Sequence, residues 1–179
     1  MDCPLDCPYL EEAHKHERLA PVDPAQVPNV DIPVSEEFLV SNQNLCMFMG
    51  QALRRAALEA PGAADGDVRE ALDGLIRTYR TLQSGVYYES IPSNPLAARV
   101  FRDTQEAVAE FRKQEHERTG MSKTRDSDVL GVLVFFQRVE LDRNNGRKRG
   151  RAFIATLGEF HSAEEAGGDD AAPSTLILP

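Results

Sequence analysis

Residues 126–160, DSDVLGVLVFFQRVELDRNNGRKRGRAFIATLGEF, decide between two folds. Two apolar runs flank Asn145-Gly146, the dipeptide that most often turns a β-hairpin, and the wealth of valine and phenylalanine before it suits a strand. Length and spacing favour helices. Residues 129–141 form a run of 13, long for a strand, and Phe153, Ile154, Leu157 and Phe160 recur at helical rather than alternating spacing. Asp126 and Asp128 are suited to cap the first helix, whose apolar residues lie on nearly every side, as in a helix at the centre of a bundle. Gly146 then becomes the left-handed residue that ends it.

Upstream, the same logic gives three more helices. Ser35 followed by Glu36 and Glu37 is an N-cap with acids in the first turn, and Phe38, Leu45, Phe48, Met49, Ala52, Leu53 and Ala56 predict one long helix up to Pro61 and Gly62. Val68, Ala71, Leu72, Leu75, Ile76, Tyr79 and Leu82 form the cleanest amphipathic stripe, restarting at Asp65-Gly66-Asp67 and ending before Gly85. Asn94-Pro95 is an N-cap with proline at the first helical position, opening a helix that runs out before Gly120. The expected fold is therefore all-α: a compact bundle of four to five helices over residues 35–161. No repeat of 30–50 residues suggests a solenoid.

The two ends differ from this body. Six prolines in residues 1–34 restrict helix to a short stretch near residues 9–18, so this segment is expected to be an extended strap. Residues 162–179, with Gly167-Gly168-Asp169-Asp170 and Pro173, have the composition of a disordered acidic tail.

An apolar fraction of 41% and a charged fraction of 27% exclude disorder throughout, and the longest apolar run is far too short to span a bilayer. Met1-Asp2-Cys3-Pro4 is no basic n-region, so a cytoplasmic location is the expectation. Three cysteines cannot make a disulfide framework and point to thiols, metal or redox chemistry. The net charge of −9 is uneven: residues 143–151 carry five bases and no acid on an otherwise acidic chain. Acidity of the whole disfavours general nucleic-acid binding, whereas the local patch keeps anion binding open.

Cys3-Pro-Leu-Asp-Cys7-Pro, followed by His14-Lys-His16, is the most distinctive local feature. Two thiolates and two imidazoles match the ligand types of a tetrahedral zinc site, although two histidines one residue apart point to opposite sides of a helix. Cys46, His116 or His161 would then supply a missing ligand. The motive is physical, because a metal can fold a segment with too little apolar content to pack alone. The alternative is a proline-rich strap with small buried cysteines and solvated histidines. Paired cysteines with a histidine also suit Cu(I), whereas a radical-SAM cluster would need a cysteine where Leu10 stands.

Arg143, Arg147, Lys148, Arg149 and Arg151 form the second feature, a basic loop whose arginine forks and glycine-flanked amides suit a phosphate or carboxylate. The competing reading has these bases complement a helix C-terminus or pair with the acidic strap. Tyr87 and Tyr88 are candidates to line a pocket or, more commonly, to pack. Phosphate-loop, dinucleotide and Gly-x-Ser-x-Gly patterns are all missing from the sequence. The leading expectation is a non-enzymatic helical module that recognises another protein and carries a zinc-docked N-terminal segment. A phosphate, nucleotide or nucleic-acid binder acting through the basic loop is the alternative, and a small enzyme with a pocket inside the bundle is the third.

Overall fold

The structure is a computed structural model that describes residues 27–160, and within them it is all-helical. In chain order the α-helices are α1 (Glu36–Ser41), α2 (Gln43–Glu59), α3 (Asp65–Gln83), α4 (Pro95–Thr119), α5 (Asp126–Arg143) and α6 (Ala152–Thr156), followed by a 3-10 turn, Leu157–Glu159. Four long helices form the bundle, and the three short elements close its flanks. The predicted helix near residues 9–18 and the predicted disordered tail lie outside the described residues.

The starts are capped where the sequence places polar side chains. Ser35 Oγ accepts from Phe38 N at 3.1 Å, Asn94 Oδ1 from Leu96 N at 3.0 Å, and Asp128 Oδ2 from Arg125 N at 2.9 Å. α4 ends on Gly120 at φ 77°, the left-handed geometry that glycine adopts without penalty.

Two expectations are corrected. The single helix foreseen from Ser35 to Pro61 is two, because Asn42 leaves helical geometry at φ −111° and ψ 22° while its amide donates to Phe38 O at 3.0 Å. A local side-chain bond of this kind competes with the helix and bends the chain. The bend lays Phe38 over Gly131 of α5, where a Cβ would run into the ring. Gly146 does have φ 70°, but α5 has already ended with Asn144 extended at its cap, so Gly146 shapes the following loop instead.

α3 packs on α5 and α4, α4 also packs on α2, and α2 meets α5, which places the α2–α4 edge across the bundle from the α3–α5 edge. α5 sits at the centre as its pattern implies, with Val129, Leu130, Val132, Leu133, Val134 and Phe136 all buried. Each such side chain contributes roughly 1.5–3 kcal/mol on removal from water. Phe153, Ile154 and Leu157 fill the space beneath α5, α2 and α3. No helix among the described residues is long and apolar enough to cross a membrane.

Candidate functional site

The α2–α4 edge does not close. Ala52 on α2 and Ala107 on α4 are too small to fill the seam, and between them lies a groove of about 610 Å³. Phe48 and Leu58 bound it along α2, Glu110 and Gln114 along α4, and Leu157, Gly158 and Phe160 form its third wall. Phe48 is held against Phe111 with ring centroids 4.7 Å apart, so this part of the wall is a packed aromatic pair. Leu58 is 45% exposed at the rim. Charges of both signs line the opening: Arg55 pairs with Glu59 at 3.8 Å, while Arg54 has no hydrogen bond or ion pair among the described residues. The composition is that of a binding cleft, an apolar floor with a few polar groups that can set orientation.

The third wall is fixed by contacts that reach across the sequence. Phe160 packs edge-on to Phe136 at 5.0 Å and to Phe135 at 6.2 Å. It lies so close to Gly50 that a Cβ there would come within 2.6 Å of Phe160 Cβ. At the other end of this segment the carboxylate of Asp65, the first residue of α3, accepts from Phe153 N at 3.1 Å and Ile154 N at 3.0 Å. Asp65 is 3% exposed, and burial raises its pKa although these amide donors work the other way. Its own N–H donates to Gly150 O at 2.8 Å, so α3 grips the chain on both sides of Arg151.

A second buried charge lies one turn along α3. Arg69 holds Glu140 of α5 in a two-pronged pair at 2.8 and 2.7 Å. Burial of Glu140 outweighs the attraction of Arg69, so its pKa is raised. Next along α3, Gln137 donates to Asp73 at 2.5 Å and accepts from Asn29 at 2.6 Å. Asn29 adopts φ 53°, in the region that asparagine tolerates better than most residues. Arg80 binds Asp31 through both nitrogens at 2.8 Å, and Arg138 donates to Asn29 O and Ile32 O at 2.8 and 3.0 Å. The Arg80 guanidinium holds the Asp31 carboxyl below its ordinary range. These contacts fasten residues 27–34 to the α3–α5 edge.

The predicted site residues are distributed as follows. Cys3, Cys7, His14 and His16 lie outside the described residues, as does His161. Cys46 is buried in the core with its thiol pushed up to about 11 by desolvation. His116 is exposed in the last turn of α4, and no cluster of three or more His, Cys, Asp or Glu suited to a metal occurs among the described residues. Arg143 pairs with Asp142 at 3.1 Å, Arg151 donates to Ala63 O at 3.0 Å, and Arg147, Lys148 and Arg149 are exposed. The loop's amides are engaged within the chain: Gly146 N with Asn144, Arg147 N with Asn145, and the first amides of α6 with Asp65. Tyr87 and Tyr88 are not part of the groove and do not pack into the core; they are 66% and 64% exposed, and the Tyr87 hydroxyl donates to Glu89.

Sequence reasoning missed the groove and Asp65. Phe48 and Ala52 keep helical spacing with core residues, so periodicity alone merges the floor of the groove with the core. The available signal was Gly50 inside an apolar helix, since an interior glycine there costs about 1 kcal/mol unless another group needs the space. Comparison of the chain with family models, with curated proteins and with solved structures returns no match in any of the three.

Proposed function

We propose that the domain is a protein-interaction module whose α2–α4 groove receives a short, largely apolar segment of another protein. The observation that carries this reading is the groove itself, with small residues at its floor, apolar residues on the α2 side and on the 157–160 wall, and polar and charged groups along α4 and the rim. Its length along α2, from Phe48 to Glu59, is about 16 Å at 1.5 Å per residue, which matches roughly three turns of a docked helix or a shorter extended strand. Arg54 gives such a segment a cation to meet. The test is selection of displayed peptides on the intact protein, followed by rebinding to Leu58→Glu and Arg54→Glu. Enriched apolar peptides that lose at least about tenfold on these variants, the scale of a lost anchor, support the reading. Failure to enrich, or peptides indifferent to both variants, overturns it.

The same proposal gives the N-terminal segment a structural zinc held by Cys3, Cys7 and His14, with His16 as the competing nitrogen ligand, in a cytoplasmic setting that keeps the thiols reduced. In its favour is the ligand set itself, two cysteines and two histidines within residues 3–16. Elemental analysis and melting before and after chelation decide it: one zinc per chain and a lower melting temperature without it are expected, and metal-free protein of unchanged stability removes the zinc.

The basic loop supports a second reading. Gly150 O and the Arg151 guanidinium pin the loop to α3 and Ala63, so Lys148 and Arg149 project from an anchored base. An anion bound there with Arg143, Arg147 and Arg151 nearby would weaken steeply with salt, and binding that ignores ionic strength would rule this out.

A further inference from the structure

We infer that the α2–α4 groove is also the docking site of this chain's own C-terminal segment, residues 175–179, with the acidic stretch 164–170 lying along the Arg54 side. The inference rests on reading the groove as a receptor for apolar segments.

The path of the chain is the first reason. Phe160, the last described residue, is itself part of the groove wall with Leu157 and Gly158, so the chain leaves the described structure inside the cleft. The other end leaves elsewhere, since residues 27–34 are fastened by Arg80 and Arg138 to the α3–α5 edge across the bundle. Sequence is the second reason. Beyond Phe160 the only apolar run is Leu176-Ile177-Leu178, the type of anchor that the Phe48, Ala52 and Leu58 surface accepts. Charge is the third. Arg54 lies against Gly158, where a Cβ would be 3.3 Å from its Nε, and it has no ion-pair partner among the described residues. Glu164 and Glu165 follow within a few residues of that point, and Asp169 and Asp170 come next.

Reach agrees with these. Leu176 is 16 residues beyond Phe160, and a random coil of that length would have a root-mean-square span of about 22 Å, comparable to the groove length of about 16 Å. A tether matched in this way gives an effective concentration on the order of millimolar, enough to fill a weak site with no other contact. A docked tail would make access to the groove a competition that a partner must win.

A photo-crosslinker tests this in the full chain. Thr175→p-benzoylphenylalanine is irradiated at low protein concentration, and the adducts are mapped by digestion and mass spectrometry. Adducts within one chain on residues 48–59, 107–114 or 157–160 are expected. Leu58→Glu in the groove and L176D/I177D/L178D in the tail should each cut their yield by about tenfold, the scale of a lost anchor. Both variants are read alongside circular dichroism that matches the parent. Adducts on the α3–α5 edge, adducts scattered over the surface, adducts only in covalent dimers, or yields unchanged by both variants overturn the inference. If no groove adduct forms but selected peptides still bind there, self-docking falls and the receptor reading stands; if neither occurs, both fall.

Discussion

Removal of the Asp65 carboxylate should loosen the groove wall without touching the groove. Asp65 sits at the start of α3, yet it accepts from Phe153 N and Ile154 N, 88 and 89 residues away, at 3.1 and 3.0 Å. In Asp65→Ala both donors stay buried and lose their acceptor. A buried donor left unpaired costs about 1–3 kcal/mol, so two cost about 2–6. Relief from burying a carboxylate offsets part of this, because desolvation already raises the Asp65 pKa. A net loss of about 3 kcal/mol is expected, which at about 2–4 °C per kcal/mol lowers the melting temperature by about 6–12 °C. Asp65→Asn keeps one acceptor oxygen and should lose about half as much. Urea denaturation followed by circular dichroism measures both, and amide exchange locates the effect, with Phe153 and Ile154 accelerated ahead of α3. An alanine variant within about 1 kcal/mol of the parent, or exchange at these two amides that does not change, would refute the capping role.

The wall can also be displaced from its other side. Gly50→Ala places a Cβ 2.6 Å from Phe160 Cβ, so Phe160 must move; overpacking of about 1–3 kcal/mol exceeds the gain of about 1 from helix propensity, and a net loss of stability in chemical denaturation checks it. Arg69→Met leaves Glu140 buried without its partner, and since Arg69 is 45% exposed the usual penalty shrinks to about 2 kcal/mol, read in the same assay. The Glu140 pKa is raised above its ordinary 4.5, so in the parent the carboxyl is favoured folded when protonated, and that advantage is lost as pH rises from 4.5 through the folded-state value. Relative to Glu140→Gln, the parent should therefore lose stability over that rise and differ by a constant below it; a flat difference or one of opposite slope contradicts the burial argument. Cys46, with its thiol pushed up to about 11, should resist an aromatic disulfide reagent in the folded protein at neutral pH and react only on unfolding.

Much of the fold was legible because its long helices obey one period. The stripe from Val68 to Leu82 lies within α3, Asn94-Pro95 starts α4, and residues 129–141 form the buried central helix in spite of their strand-like composition. The break at Asn42 was not legible, since Phe38 and Leu45 keep phase across it while Asn42 bonds back to Phe38 O. The same applies to Asp65. An acid in a first turn reads as a partner for its own helix, and its actual partners are set by how residues 152–154 return to the bundle. The groove arises from what is absent between two helices, where Ala52 faces Ala107, and hydrophobic periodicity records only which residues are apolar.

The polar contacts on α3 belong to one arrangement. Asp65, Arg69, Asp73 and Arg80 lie along the side that meets α5, and each spends its hydrogen bonds on another element: α6, Glu140, Gln137 and Asp31. Apolar side chains of similar size would hold α3 to α5 as well or better, because buried charges lose much of their attraction to desolvation. Apolar packing is less selective about direction, however, and the segments held here need direction. Residues 27–34 contribute only Ile32 and Val34 to the core, and residues 152–160 must return beneath three helices in a single register. Two-pronged pairs and amide caps fix such segments to named partners. The consequence is that the described chain enters at the α3–α5 edge and finishes at the α2–α4 groove, with one helix, α3, bonded to the segments at both ends.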